Sequence, residues 1–78
     1  MMGSEAEFNP VNIEVGANIK NRRESLEMSI EGLAEMLDIT PEYLGLVESG
    51  RQVMDISKLP KLSKILLITV DEILSVRQ

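Results

Sequence analysis

SIEGLAEMLDITPEYLGLVESG, running from Ser29 to Gly50, contains two short amphipathic runs separated by a break. Ser29 is a good N-cap residue, and Leu33, Ala34 and Leu37 follow it as a narrow apolar stripe at helical spacing. Gly32 lies inside that run. It lowers helix propensity by about 1 kcal/mol relative to Ala, so packing against another element has to hold the segment. Asp38-Ile39 interrupts the periodicity. Thr40-Pro41-Glu42 then restarts it with a cap, a first-turn proline and an acid that suits the helix dipole. Leu44 and Val47 supply the inward face of the second run. Ser49-Gly50 ends it, with Gly50 suited to a left-handed C-terminal position. The stretch reads as two short helices joined by a tight turn.

Working outward, residues 1–9 are small, acidic and aperiodic apart from Phe8, and read as a loose arm. Asn9-Pro10 offers a cap and a first-turn proline, and Asn12 a second cap slightly later. Val15, Ile19, Arg23 and Leu26 then recur at spacings of four, four and three, which marks one face of a first helix. Glu14 near its start and Lys20, Arg22 and Arg23 further on suit the helix dipole. Beyond Gly50, a loop (Arg51-Gln52-Val53-Met54) leads to Asp55 or Ser57 as the cap of a helix carrying Leu59, Leu62 and Leu66. Pro60 is tolerable within a first turn, which favours Ser57. Thr69 or Val70 opens a last short helix with Asp71 and Glu72 in its first turn. Five helices and no strand pattern make the fold all-α.

Composition bounds what such a chain can do. Its 78 residues contain no cysteine and no histidine, so disulfides and the usual zinc sites are excluded as sources of stability. A domain this small buries about 60% of its unfolded surface, which leaves regular helix packing or a partner subunit to stabilise it. Hydrophobic residues are 44% of the chain but aromatics only 3%, so Leu, Ile, Val and Met must fill the core. Thirteen acids against eight bases give a net charge of −5. That balance argues against indiscriminate binding to nucleic acid or anionic membrane and leaves room for a local basic patch. With no apolar run of membrane-spanning length and no visible signal peptide, the expected location is the cytoplasm.

From Val15 to Leu74 the chain resembles the lambda-repressor/Cro-like helix-turn-helix family. The likeness rests on an ordered set of positions: Gly16, Ile19 and Arg23; Ser29, Leu33 and Ala34; Leu37 to Pro41; Leu44, Val47, Glu48 and Gly50; Leu59, Pro60 and Leu62; and Leu66, Ile68 and Val70 to Leu74. It implies a five-helix domain over 10–78, preceded by the arm at 1–9, with the motif at about 29–50 and the C-terminal helices at 57–78. It also implies that the third helix lies in the major groove of double-stranded DNA while the second crosses the backbone. Base-facing positions then fall on Thr40, Pro41, Glu42 and Leu46, with Tyr43 and Gly45 nearby. Backbone-facing positions fall on Ser29, Ile30, Ser49, Arg51, Gln52 and Lys58. The resemblance further implies an ion pair between Arg23 and Glu48 that ties the first helix to the end of the recognition helix.

Each of these residues also has a plainer reading. Capping accounts for Thr40, and helix initiation accounts for Pro41. Glu42 can accept from a cytosine amino group, yet an acid at a helix start needs no DNA to explain it. Tyr43 can pack on the first helix or donate to a phosphate. Leu46 can meet a thymine methyl or a partner protein, or simply sit exposed. Arg51 is the best phosphate candidate.

The motif departs from the family pattern in charge. Between Ser29 and Gly50 there is no Lys or Arg, while Glu31, Glu35, Asp38, Glu42 and Glu48 are acidic. Ile30 stands where a phosphate-reaching glutamine is common, and Gly45 where a small polar residue is usual. Two functions follow: a homodimeric, sequence-specific DNA-binding regulator, or a helix-turn-helix domain turned to protein recognition, as in an antitoxin-like or regulatory partner. Nothing pairs a nucleophile with a base, so an enzyme is not expected, and no cofactor is called for. The apolar C-terminus suggests a two-fold interface carrying Leu74 and Val76.

Overall fold

The computed structural model describes residues 10–75. The arm expected at 1–9 and residues 76–78, which include Val76 of the expected two-fold interface, lie outside the described residues. Five α-helices follow in order: α1 (Pro10–Ser25), α2 (Ile30–Leu37), α3 (Pro41–Glu48), α4 (Leu59–Leu66) and α5 (Val70–Ile73), with a 3₁₀ turn at Ile56–Lys58 ahead of α4. No strand occurs among the described residues. α3 packs against both α1 and α2.

Side-chain caps define the helix starts. Ser29 Oγ accepts from the Gly32 amide at 2.9 Å, and Thr40 Oγ1 accepts from the Tyr43 amide at 3.0 Å. Thr69 and Glu72 form a reciprocal capping box on α5. The break at Asp38 is a left-handed residue (φ 62°), after which the Ile39 amide donates to Ala34 O at 3.0 Å and closes the turn. Gly50, with φ 85°, turns the chain away from α3. Three non-glycine residues, Glu27, Asp38 and Leu67, take the left-handed conformation that glycine usually supplies.

One boundary differs from the sequence expectation, and Glu14, near the start of α1, falls just beyond its first turn. Neither Asp55 nor Ser57 caps α4, whose N-cap Lys58 makes no side-chain cap; Asp55 instead caps the 3₁₀ turn, its Oδ1 accepting from the amide and the hydroxyl of Ser57, both at 3.0 Å. The 3₁₀ turn thereby absorbs the entry to α4, and Pro60 falls in that helix's first turn, where no amide hydrogen is needed.

The core gathers Ile19, Leu33, Ala34, Leu37, Leu44, Val47, Leu62, Leu66 and Ile73, all essentially inaccessible, with Met54 and Leu59 at its edge. Ile39 and Ile68 pack against it half-buried. α1 also serves the ends of the later helices. Arg22 Nε donates to Leu66 O at 2.7 Å, and Asn18 Nδ2 donates to Ile73 O at 3.0 Å and Ser75 O at 2.8 Å. Carbonyls that helix ends leave without partners are satisfied in this way. Gly16 sets how closely α1 and α3 approach, since a Cβ there would overlap the Val47 carbonyl oxygen and lie 2.7 Å from that of Glu48.

Candidate nucleic-acid interface

Packing on α1 and α2 decides which side of α3 faces outward. Leu44, Val47 and Glu48 are buried, Tyr43 and Gly45 are half-buried, and Pro41, Glu42 and Leu46 are exposed. Thr40 and Ser49, which flank the helix, are exposed as well. Leu46 is 42% exposed, so the inward face is complete without it. Pro41, Glu42 and Leu46 therefore share one solvent-facing stripe that begins at the helix N-terminus.

The hydroxyls on and around this stripe are largely committed to the backbone. Tyr43 Oη donates to Val53 O at 2.8 Å and accepts from the Asp55 amide at 2.9 Å. It thus braces the loop after α3, a role the sequence reading did not foresee. Ser49 Oγ donates to Leu46 O at 3.0 Å. Ser29 Oγ is engaged by the Gly32 amide, so what the start of α2 offers a phosphate is its other first-turn amides. Ile30 is half-buried against the core, and its Cδ1 lies 3.7 Å from where a Cβ on Gly45 would sit. Arg51 and Gln52 are exposed just past Gly50, and Lys58 is half-buried at the end of the 3₁₀ turn.

Arg23 and Glu48 hold α3 in place from beneath. Arg23 Nε donates to Glu48 Oε2 at 2.7 Å and Nη2 donates to Oε1 at 3.0 Å, with both residues 8% exposed. Nη1 donates to Met28 O at 2.8 Å. The hydrogen bond to Glu48 raises the Arg23 pKa against the opposing effect of burial. No buried side-chain nitrogen or oxygen among the described residues lacks a partner.

Glu31, Glu35, Asp38 and Glu42 are all exposed, so the solvent face of the motif is acidic. Arg51 and Lys58 stand at its edge. On the far side of α3, Val11, Val15, Val53, Ile56 and Leu74 line an apolar cleft of about 230 Å³ floored by Val47, Met54 and Leu59. Leu74 is 44% exposed there. Leu74 was expected from the sequence only as a two-fold interface residue, and Val11, Val53 and Ile56 carried no expectation. Val53 sits in a loop and Ile56 in a 3₁₀ turn, where helical periodicity carries no signal. Among the described residues no group of His, Cys, Asp or Glu could hold a metal ion, and no helix is long and apolar enough to cross a membrane.

This is the geometry of a helix-turn-helix domain, with α2 and α3 as its two motif helices. The helix-turn-helix family profile matches residues 19–73, and the chain belongs to that family, of the Cro/C1 type. It is 37% identical over 70 residues to an uncharacterised HTH-type transcriptional regulator of Sinorhizobium medicae (strain WSM419), covering 90% of this chain and 50% of the relative. The chain thus spans about half the length of that relative. Among solved structures it is similar to the restriction-modification controller protein C.AhdI from Aeromonas hydrophila. There the TM-score is 0.73 with 26% identity, over 80% of this chain and 94% of that one. Hydroxypropylphosphonic acid epoxidase from S. wedmorenis shares the fold alone, with TM-score 0.76 and 22% identity over 85% of this chain and 35% of the enzyme.

Proposed function

We propose that the chain is a sequence-specific regulator that binds double-stranded DNA as a homodimer on a two-fold operator in the cytoplasm. The observation that carries this reading is the stripe of Thr40, Pro41, Glu42 and Leu46. These side chains are exposed at and beyond the N-terminus of a helix whose opposite face is locked to α1 and α2. In a helix-turn-helix dimer such stripes enter successive major grooves, with half-sites about 34–36 Å apart. Tyr43 and Gly45 lie beside the base-facing stripe. Ser29, Ile30, Ser49, Arg51, Gln52 and Lys58 serve the backbone on either side of it. The exposed Leu74, beside the apolar cleft, belongs to the two-fold contact. The acidic motif surface makes the complex weak and strongly salt-dependent, because phosphate neutralisation falls to the few basic residues around it.

A second reading is favoured by one observation: α2 and α3 present acids and Leu46 but no base. Such a face suits a protein partner. Selection from a random double-stranded DNA library at about 50 mM and about 200 mM salt separates the two. A two-fold motif retained at both salts is the expected result. Retention of nothing at either salt would hand the face to a protein partner.

A further inference from the structure

The outward stripe of α3 holds a hydrogen-bond acceptor and two apolar groups, and almost no donors. Glu42 is exposed and its carboxylate makes no hydrogen bond or ion pair among the described residues. Pro41 and Leu46 present only carbon, and Gly45 has no side chain to offer. Tyr43 and Ser49, which carry the remaining hydroxyls of the segment 41–49, spend their protons on Val53 O and Leu46 O. Thr40 Oγ1 accepts from the Tyr43 amide, which leaves its proton as the one side-chain donor on the stripe.

The major groove is a code of donors, acceptors and methyl groups. Guanine offers two acceptors and requires a paired donor such as Arg or Lys. Adenine requires a donor and an acceptor in one side chain, as in Asn or Gln. Between residues 40 and 49 no side chain meets either demand. Cytosine offers an amino donor, which a carboxylate accepts, and thymine offers a methyl group, which an apolar side chain covers. We propose that α3 specifies its half-site through a cytosine amino group read by Glu42 and thymine methyl groups read by Leu46 and Pro41, with no bidentate purine contact. Glu42 and Leu46 are four residues apart, one turn and about 6 Å along the outward face of the helix, so the two side chains meet different base pairs of the half-site. This inference rests on the DNA-binding reading above and names what that site recognises.

The test uses the duplex recovered from the selection at about 50 mM salt. Replacing each thymine in turn with deoxyuridine removes one methyl and changes nothing else in the groove. At the position facing Leu46, affinity is expected to fall about fourfold, the value of one buried methyl. That loss disappears in Leu46→Ala. Glu42→Gln is expected to reduce the preference for cytosine at its position by about tenfold and to admit adenine, which glutamine reads. Both side chains are exposed, so a thermal melt of each variant checks that folding is unchanged. A duplex indifferent to every thymine-to-deoxyuridine change, or a cytosine preference that survives Glu42→Gln, overturns the inference while leaving the regulator reading intact. A library from which nothing is enriched removes the regulator reading itself, and this inference with it.

Discussion

Arg23 on α1 grips Glu48 at the end of α3 through two parallel hydrogen bonds of 2.7 and 3.0 Å, and the same guanidinium donates to Met28 O at 2.8 Å. One buried side chain therefore fixes three things: α1, the last turn of the outward-facing helix, and the backbone just before α2. Its value is best judged by removal. Taking away one partner of a buried ion pair typically costs about 3–5 kcal/mol, because the other charge is left dry and unpaired. Arg23→Met is expected to unfold the domain or to lower its melting temperature by more than about 12 °C. The double variant Arg23→Met/Glu48→Met should regain most of that loss, since two apolar side chains of similar volume often replace a buried pair at little cost. A melting temperature unmoved by Arg23→Met would show that the pair contributes nothing to the fold.

Gly16, on α1 with Arg23, faces the same junction. Its missing Cβ is what lets α1 rest on the Val47 and Glu48 carbonyls. Gly16→Ala must push the helices apart and strain the Arg23–Glu48 geometry with them. Overpacking of this kind costs about 1–3 kcal/mol, more than the gain in helix propensity from Gly to Ala returns. Chemical denaturation should therefore show a lower midpoint, and a raised one would mean that α1 can shift without penalty.

The sequence made the α2–turn–α3 unit legible because every decisive feature there is local. Ser29 and Thr40 cap the amides three residues on, and Leu33, Ala34, Leu37, Leu44 and Val47 are buried as their spacing implies. Contacts distant in sequence were legible only where the family resemblance implied them, as for Arg23 and Glu48. The bond from Tyr43 Oη to Val53 O spans ten residues, and nothing in the local pattern of α3 announces it. The entry to α4 was misread for a related reason. Asp55 and Ser57 are both good caps, but Asp55 serves the 3₁₀ turn, and that turn delivers the chain to α4 with no side-chain cap of its own. The outward stripe was partly legible, as what remained of α3 once its core positions were assigned. The shortage of donors on that stripe was not, because it depends on where Tyr43 and Ser49 send their hydroxyl protons.

Glu72 gives α5 an acid-sensitive start. Its Oε1 accepts from the Thr69 amide at 2.8 Å and the Thr69 hydroxyl at 3.2 Å, and these bonds hold its pKa below the ordinary value of 4.5. A carboxylate with a lowered folded-state pKa contributes stability that is fully present above the unfolded value. That contribution is lost as pH falls through the folded one. Stability should therefore decline below pH 4.5. Glu72→Gln should flatten that decline by giving up, at neutral pH, the stability the carboxylate supplies there, while matching the parent chain in acid. Urea midpoints at pH 7 and about pH 3 compare the two proteins. Parallel losses in both would assign the acid limb to other carboxylates, Asp55 among them, whose pKa is also lowered, chiefly by the backbone of Ser57.

Arg51 and Lys58 bear most of the expected phosphate contact, since residues 29–50 contain no base. Each neutralised phosphate contributes about 0.9 to the slope of log K against log salt. Alanine at either position should weaken binding about equally for every DNA sequence and reduce that slope by about 0.9 per protomer. Affinity and slope unchanged in both variants would leave the regulator reading without its electrostatic mechanism.

Leu74 tests the homodimer. It follows the last turn of α5 and is 44% exposed beside the cleft lined by Val11, Val15, Val53 and Ile56. An apolar surface that continuous on so small a domain calls for a cover, and a second copy presents the same surface to it by two-fold symmetry. Leu74→Asp places a charge in that contact. Because the side chain is already exposed, the substitution should change the stability of the isolated domain by no more than about 0.5 kcal/mol. Sedimentation at tens of micromolar is expected to show a dimer for the parent chain and a monomer for the variant. DNA affinity should fall along with association, since a single half-site loses the advantage of a linked second contact. A parent chain that sediments as a monomer at that concentration, or a variant that still dimerises, would place the two-fold contact elsewhere.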